Sequence, residues 1–400
     1  MMNYNFLLWI ALILFNTKLL GIVCKKINLP EVVGALLAGV ILGPSFLNIV
    51  NMQGDNGKFI ELSAEVGVIF LMYSAGLETD LKEMKQNIVA SFITAVIGVL
   101  VPLVGGAAAY ALYFKENISD YETMIQCIFV GVVLTATSVS ITVETLREMG
   151  CLKGKVGTTI LGAAIIDDIL GMIVLAVVSS LKDPSVSPGI VLGKIGIYAL
   201  VILALGFFMA RFEIVIKKAD HMRRAAIFAF AFAFFLAYIS EILFGIADIT
   251  GAFFAGVILC RSKIRDYVDL KVHDLSTVFF SCIFFASVGL KVQLGGMSVP
   301  LWIFAIVLTV VAVLTKLIGC GLGAKICKFS WKESIQTGVG MVSRGEVALI
   351  IAEKGRQMGL ISEKLFAPII VMVIVTTLIT PILLKIVFKK DKAEVAEANA

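Results

Sequence analysis

Charge is scarce in this chain. Only 16% of its 400 residues are Asp, Glu, Lys or Arg, against 59% hydrophobic ones, where soluble domains carry about 25% charged and about 45–50% apolar residues. Histidine is nearly absent, with two residues, and the seven cysteines form no CxxC pair. A histidine- or cysteine-built metal centre and a disulfide framework are therefore not expected; the cysteines read as small buried hydrophobes. Long polar stretches are missing too, which excludes a disordered chain and a soluble enzyme. Met1 to Asn5 carries no basic residue and the first apolar run has no small-residue cleavage pattern, so that run is expected to be retained as a span, not removed as a signal peptide.

What the chain has is apolar length. Its mean hydropathy is +1.00, and a spanning helix needs about 20 mostly apolar residues. Charged or Gly/Pro-rich breaks delimit apolar segments near 5–25, 30–49, 59–78, 87–114, 124–149, 155–181, 189–216, 222–241, 243–261, 270–291, 298–326, 333–357 and 363–388. The expected fold is an all-α polytopic membrane protein of about thirteen transmembrane helices. Putting the N-terminus outside places about 22 Lys/Arg in cytoplasmic loops against about seven outside, which gives an N-out, C-in topology. Lys354, Arg356 and Lys364 fall on the outer side and break that pattern.

Thirteen divides as six, one, six, the count of two inverted six-helix repeats joined by a linker helix. Polar interruptions sit in the fifth and twelfth segments, at corresponding places of the two halves, and such interruptions point to a transporter site. Strong residue-level identity between the halves is not evident. The organisation expected is dimerisation helices over 1–86, core helices over 87–182, a linker over 183–220, dimerisation helices over 221–296, core helices over 297–390 and a tail over 391–400.

Two acids, Asp167 and Asp168, stand in the middle of the apolar run 155–181. A charge at that depth costs about 2.5–3.5 kcal/mol on insertion scales, so it is expected to face a partner or a wet cavity. Adjacent residues lie about 100° apart around a helix. One carboxylate can thus meet a fixed partner while the other faces the cavity. Lys316, halfway along 298–326 and too deep to snorkel, is the candidate partner of Asp167; a lysine buried neutral is the alternative.

Thr135, Thr137 and Ser138, followed by Ser140 and Thr142, interrupt the fifth segment, and Gly338, Gly340, Ser343, Arg344, Gly345 and Glu346 interrupt the twelfth. Hydroxyls that bond back to their own helix explain the first cluster blandly. Two broken helices crossing at midplane, whose carbonyls and dipoles help hold a small cation, explain both. Arg344 and Glu346 either neutralise each other structurally or serve the ion. Glu61, Glu65, Glu241, Asp248 and Lys18 read as solvated or packing residues.

At these residues the sequence resembles the monovalent cation/proton antiporters of the NapA type. Pro30 to Pro44, Glu65 to Met72, Ala75-Gly-Leu-Glu-Thr-Asp80, Thr135-Ala-Thr-Ser138, Asp167-Asp168, Gly251-Ala-Phe-Phe-Ala-Gly256, Thr315-Lys316 and Arg344-Gly-Glu346 follow in family order. The spore-germination antiporters are similar as well. The resemblance implies a NapA/NhaA-like fold with two crossing discontinuous helices, a homodimer, and an elevator motion of a six-helix core. It assigns the main cation (Na+) ligand to Asp168, the salt-bridged neighbour and its lysine to Asp167 and Lys316, and the polar residue at the break to Thr137. It implies no enzyme and no cofactor; the cargo is Na+ or Li+, with K+ open, exchanged for H+ in a bacterial-type plasma membrane. No nucleic-acid partner and no nucleotide-binding regulatory domain in this chain are expected. A K+/H+ antiporter or K+ efflux protein, a Na+-coupled solute symporter and a cation channel are the alternatives.

Overall fold

The computed structural model describes residues 4–27, 29–52, 54–116, 119–182, 187–212, 222–291 and 297–398. They fold as α-helices in the order α1 (Asn5–Lys26), α2 (Glu31–Leu42), α3 (Gly54–Glu78), α4 (Leu81–Phe114), α5 (Tyr121–Thr135), α6 (Val139–Glu148), α7 (Lys155–Lys182), α8 (Pro188–Phe212), α9 (Met222–Ile239), α10 (Asp248–Leu259), α11 (Arg265–Leu275), α12 (Ser281–Leu290), α13 (Val299–Ile326), α14 (Trp331–Gly340), α15 (Glu346–Gln357) and α16 (Glu363–Ala398). Five-residue π-helical turns, Ser240–Phe244 and Ser276–Phe280, extend α9 and join α11 to α12.

Ten helices among the described residues are long and apolar enough to cross a membrane, counting α5 with α6 and α11 with α12 as continuous passages. Their outward faces confirm the setting. In the apolar stretch of α8 only 6% of residues are buried, with Ile190, Leu200, Leu203 and Phe207 all exposed. Water does not tolerate so broad an apolar surface on a folded monomer, whereas lipid solvates it. The protein is a multi-pass helical membrane protein.

Several boundaries differ from expectation for identifiable reasons. The segment 30–49 is helical only over Glu31–Leu42, because Gly43 and Pro44 end the helix. Ile49 and Val50 then turn back to donate to the Leu42 carbonyl. At about 1.5 Å per residue α2 rises about 18 Å, too short to cross alone. The segment 243–261 likewise shortens to α10. At the other end, α16 runs on helically to Ala398, through most of the expected tail. Residues 183–186 and 213–220 of the expected linker lie outside the described residues.

Short, glycine-lined α2 and α10 are wedged between longer neighbours. A Cβ built on Gly76 of α3 would stand 2.2 Å from the Phe253 carbonyl oxygen of α10, and one on Gly39 of α2 would stand 2.0 Å from the Ala286 carbonyl oxygen of α12. Only glycine permits such backbone contact, the usual way membrane helices gain close packing. The two pairings match in sequence. Gly34-Ala-Leu-Leu-Ala-Gly-Val-Ile-Leu42 and Gly251-Ala-Phe-Phe-Ala-Gly-Val-Ile-Leu259 differ only at their third and fourth positions. α2 and α10 therefore share a nine-residue motif at seven positions, where strong residue-level identity was not expected. Around the site, α4 packs against α13, α7 and α5, while α14 lies between α13 and α16.

Candidate functional site

The two polar interruptions are breaks in helices, and the breaks meet. α5 ends at Thr135 and α6 resumes at Val139; α14 ends at Gly340 and α15 resumes at Glu346. At the crossing the Ser138 N–H donates to the Ser343 carbonyl at 2.8 Å. The Thr142 hydroxyl donates to the Gly340 carbonyl, also at 2.8 Å. Gly345 makes the contact possible: a Cβ there would lie 2.6 Å from Ser138 Oγ. A broken helix leaves carbonyls at one end and N–H groups at the other without intrahelical partners, so each break brings opposite partial charges to mid-membrane depth.

Local sequence fixes where these helices begin. Asp120 caps α5 by accepting from the Thr123 N–H at 3.0 Å. Ser330 and Glu333 form a reciprocal capping box at the start of α14. Glu333 also pairs with Lys155 of α7 at 3.0 Å, tying the broken helix to the one that bears the acids.

On α7, Asp167 meets Lys316 of α13, Nζ to Oδ1, at 2.7 Å, with both side chains fully buried. The expected pairing is present. Asp168, one residue on, is also buried but retains 7% exposure against 1% for Asp167. Thr137 stands beside Asp167, its buried hydroxyl without a hydrogen-bond partner of good geometry among the described residues. Thr135 takes the bland alternative, its hydroxyl donating to the Val132 carbonyl at 2.7 Å. Ser138 lies 3.3 Å from Ser140, hydroxyl to hydroxyl.

Arg344 is completely buried. Its guanidinium donates to the carbonyls of Met341, Val342 and Ala312. The side chain of Glu346 lies outside the described residues. Sequence reasoning missed Thr377 of α16, whose hydroxyl donates to the Arg344 carbonyl; the run Thr376-Thr377-Leu-Ile-Thr380 inside the last apolar segment was the available signal. Of the minor charges, Lys18 and Lys25 both pair with Glu31, at 3.3 and 3.1 Å, and Glu61 pairs with Lys291 at 3.0 Å. Arg356, near the end of α15, pairs with Glu353 at 2.7 Å.

Discontinuous helices crossing around buried acids and a buried lysine define a polytopic transporter fold. The sequence comparison makes the class specific. The family model described as "Sodium/hydrogen exchanger, transmembrane" matches residues 11–390, and the chain belongs to that family. It is 40% identical over 400 residues to the Na(+)/H(+)-K(+) antiporter GerN of Bacillus cereus, covering 98% of this chain and 99% of the relative. It is 36% identical over 388 residues to a Na(+)/H(+) antiporter of Enterococcus hirae, covering 95% and 97%. The fold is similar to that of the sodium proton antiporter MjNhaP1 from Methanocaldococcus jannaschii, solved at pH 8, with a TM-score of 0.71, 19% identity and 96% of each chain covered.

Proposed function

We propose that this protein is a secondary active antiporter that exchanges Na+ or Li+ for H+. The observation that carries the reading is the dry Asp167–Lys316 pair with Asp168 beside it, at the level where two helices break. Asp168 is assigned the exchanging role: a carboxylate at this depth needs an answering charge, and a proton or a dehydrated cation can supply it in turn. Thr137 and the carbonyls of the first break offer neutral oxygens to the cation, the ligand type hard cations take. Competition for one carboxylate, with access alternating between the two faces, couples the fluxes without ATP or a redox cofactor. K+ is the second reading for the same route, favoured by the name of the Bacillus cereus relative.

The wider arrangement follows from the same features. The matching α2 and α10 motifs, the matched packing of α3 on α10 and of α12 on α2, and the two broken helices support thirteen membrane passages built as two inverted six-helix repeats. We assign α4–α7 and α13–α16 to a moving core, α8 to the linker between the two repeats, and α1–α3 and α9–α12 to a homodimer scaffold, with an elevator motion between core and scaffold. The excess of Lys and Arg in alternate loops supports an outside N-terminus and a cytoplasmic C-terminus in a plasma membrane.

The test is proton flux into purified proteoliposomes, read by a pH-sensitive dye, on imposing Na+, Li+ or K+ gradients with the membrane potential clamped or free. Exchange that depends on the cation and disappears in Asp168→Asn is expected. Wild-type exchange in that variant, or cation flux uncoupled from protons, overturns the reading; the latter result points to a channel. Uptake of an organic solute driven by Na+ points to a symporter.

A further inference from the structure

Where α3 and α10 end and α4, α7 and α11 begin, the chain encloses a cavity of about 320 Å³ that shares no residue with the helix breaks. Its charged lining sets Glu78 and Asp80 against Lys82, Lys153, Arg261 and Arg265. Both acids are already engaged. Glu78 pairs with Arg147 of α6 at 3.2 Å. The Asp80 carboxylate accepts from the N–H groups of Lys82 and Glu83, at 2.8 and 3.2 Å, so the start of α4 is closed by its own cap and the character of the cavity comes from side chains. The bases are not answered in the same way. Lys82, Lys153 and Arg261 are exposed and make no ion pair among the described residues. Arg265 is held in place, its Nε donating to the Leu77 carbonyl at 2.8 Å. Its Nη1 has only the exposed Asp266 at 3.9 Å, beyond hydrogen-bond reach.

Two guanidinium groups and two ammonium groups around one space suit a phosphoryl group: arginine offers paired donors to its oxygens, and lysine adds point charge. The volume lies near the lower end of ligand pockets, which run from about 300 to about 1,000 Å³, enough for the phosphoryl group and a small remainder. The lining is also divided between two bodies. Arg261 and Arg265 belong to helices assigned to the scaffold, Lys82 and Lys153 to the core, and the Glu78–Arg147 pair beside them joins the two. We propose that this cavity binds a phosphoryl group, and that its occupant ties core to scaffold and slows exchange. The tie rests on the elevator assignment; the binding rests on the cavity alone. Displacing the core carries Lys82 and Lys153 away from Arg261 and Arg265. The ligand therefore binds the present arrangement more tightly than the displaced one and shifts the equilibrium by that difference. All the loops concerned fall on the side assigned to the cytoplasm, so the group arrives on an intracellular phosphate ester or on the headgroup of an inner-leaflet lipid.

The test uses the full-length protein as wild type, Lys153→Gln, Arg261→Gln, the double variant of these two, and Asp80→Asn, which keeps a capping side chain. Calorimetric titration in phospholipid-free detergent, at fixed ionic strength, measures the Kd for inorganic phosphate and for glycerol 3-phosphate. Melting in neutral-lipid vesicles with and without phosphatidic acid supplies the lipid arm. Each Gln variant is expected to weaken binding about tenfold or more, and the double variant to show almost none. Asp80→Asn is expected to bind more tightly than wild type, because a like charge leaves the cavity. Titration by glycerol 3-phosphate identifies a soluble ligand; a response to phosphatidic acid alone identifies the lipid. In proteoliposomes with the same probe on both sides, cation-driven proton flux should fall in wild type and keep its probe-free rate in the double variant. No response to any of the three probes, or an equal response in the double variant, overturns the site. A probe-saturated wild type that exchanges at its probe-free rate overturns the tie. Absence of proton-coupled flux without any probe would instead overturn the antiport reading and leave the measured affinities standing.

Discussion

Replacing Lys316 by Met tests the centre of the site most directly. Its ammonium lies 2.7 Å from Asp167 Oδ1, and neither side chain reaches solvent. Removing one member of a buried pair strands the other, at about 3–5 kcal/mol. Cys320, one turn further along α13, and Ala312, one turn back, are also fully buried, so the stranded group has no solvent-exposed surface beside it. Asp167→Asn should cost about the same by stranding the ammonium. Additivity would then put the double variant near 6–10 kcal/mol, comparable to the whole stability of an ordinary domain. The double variant leaves no orphan charge, so it should lose at most about 3 kcal/mol, a coupling of several kcal/mol between the positions. Reversible unfolding in mixed micelles, followed by intrinsic fluorescence, measures all four proteins. A single variant that loses under about 1 kcal/mol, or a double whose loss equals the sum of the singles, refutes the reasoning.

Other outcomes follow from named contacts. Gly76→Ala places a methyl 2.2 Å from the Phe253 carbonyl, forces α3 and α10 apart, and should cost at least about 1–3 kcal/mol, visible as a lower melting temperature; an unchanged melt would mean the two backbones are not in contact. Thr142→Val removes the bond to the Gly340 carbonyl and should cost about 1 kcal/mol while lowering exchange, because the breaks lose a tie; full exchange with normal stability would count against the crossing. At the surface, the N–H groups of Glu83 and Lys82 hold the Asp80 carboxyl below its ordinary value. A depressed folded value means the stabilisation is present above the unfolded value, about 3.9, and is lost as pH falls through the folded one. Asp80→Asn should therefore flatten the acid limb of the melting curve below about pH 4, and an unaltered limb would remove Asp80 from that account.

How much of this was legible in the chain depends on distance along it. Apolar length marked out the membrane passages, and polar residues inside apolar runs located both breaks within a few residues, because hydrocarbon tolerates such groups only where something answers them. The choice of Lys316 for Asp167, 149 positions away, was available for the same reason: a lysine in mid-membrane needs an acid, and few are on offer. The repeat between α2 and α10 was equally present in the letters, but its short motif only gains meaning once the glycines are seen against facing backbones.

Composition and hydropathy by themselves determined that this is a multi-pass helical membrane protein with ionisable groups held at depth, since a helix satisfies its own backbone hydrogen bonds in lipid and runs of about 20 apolar residues fit helices and not the alternating strands of a barrel. Tertiary structure alone decided which hydroxyls turn inward, that Thr135 donates to its own helix while Thr142 crosses to Gly340, and that Arg344 settles on one carbonyl of α13 and two of the break that follows α14. A side chain's direction at a broken helix is set by where the other chain ends arrive, and that meeting point is recorded in no single stretch of sequence.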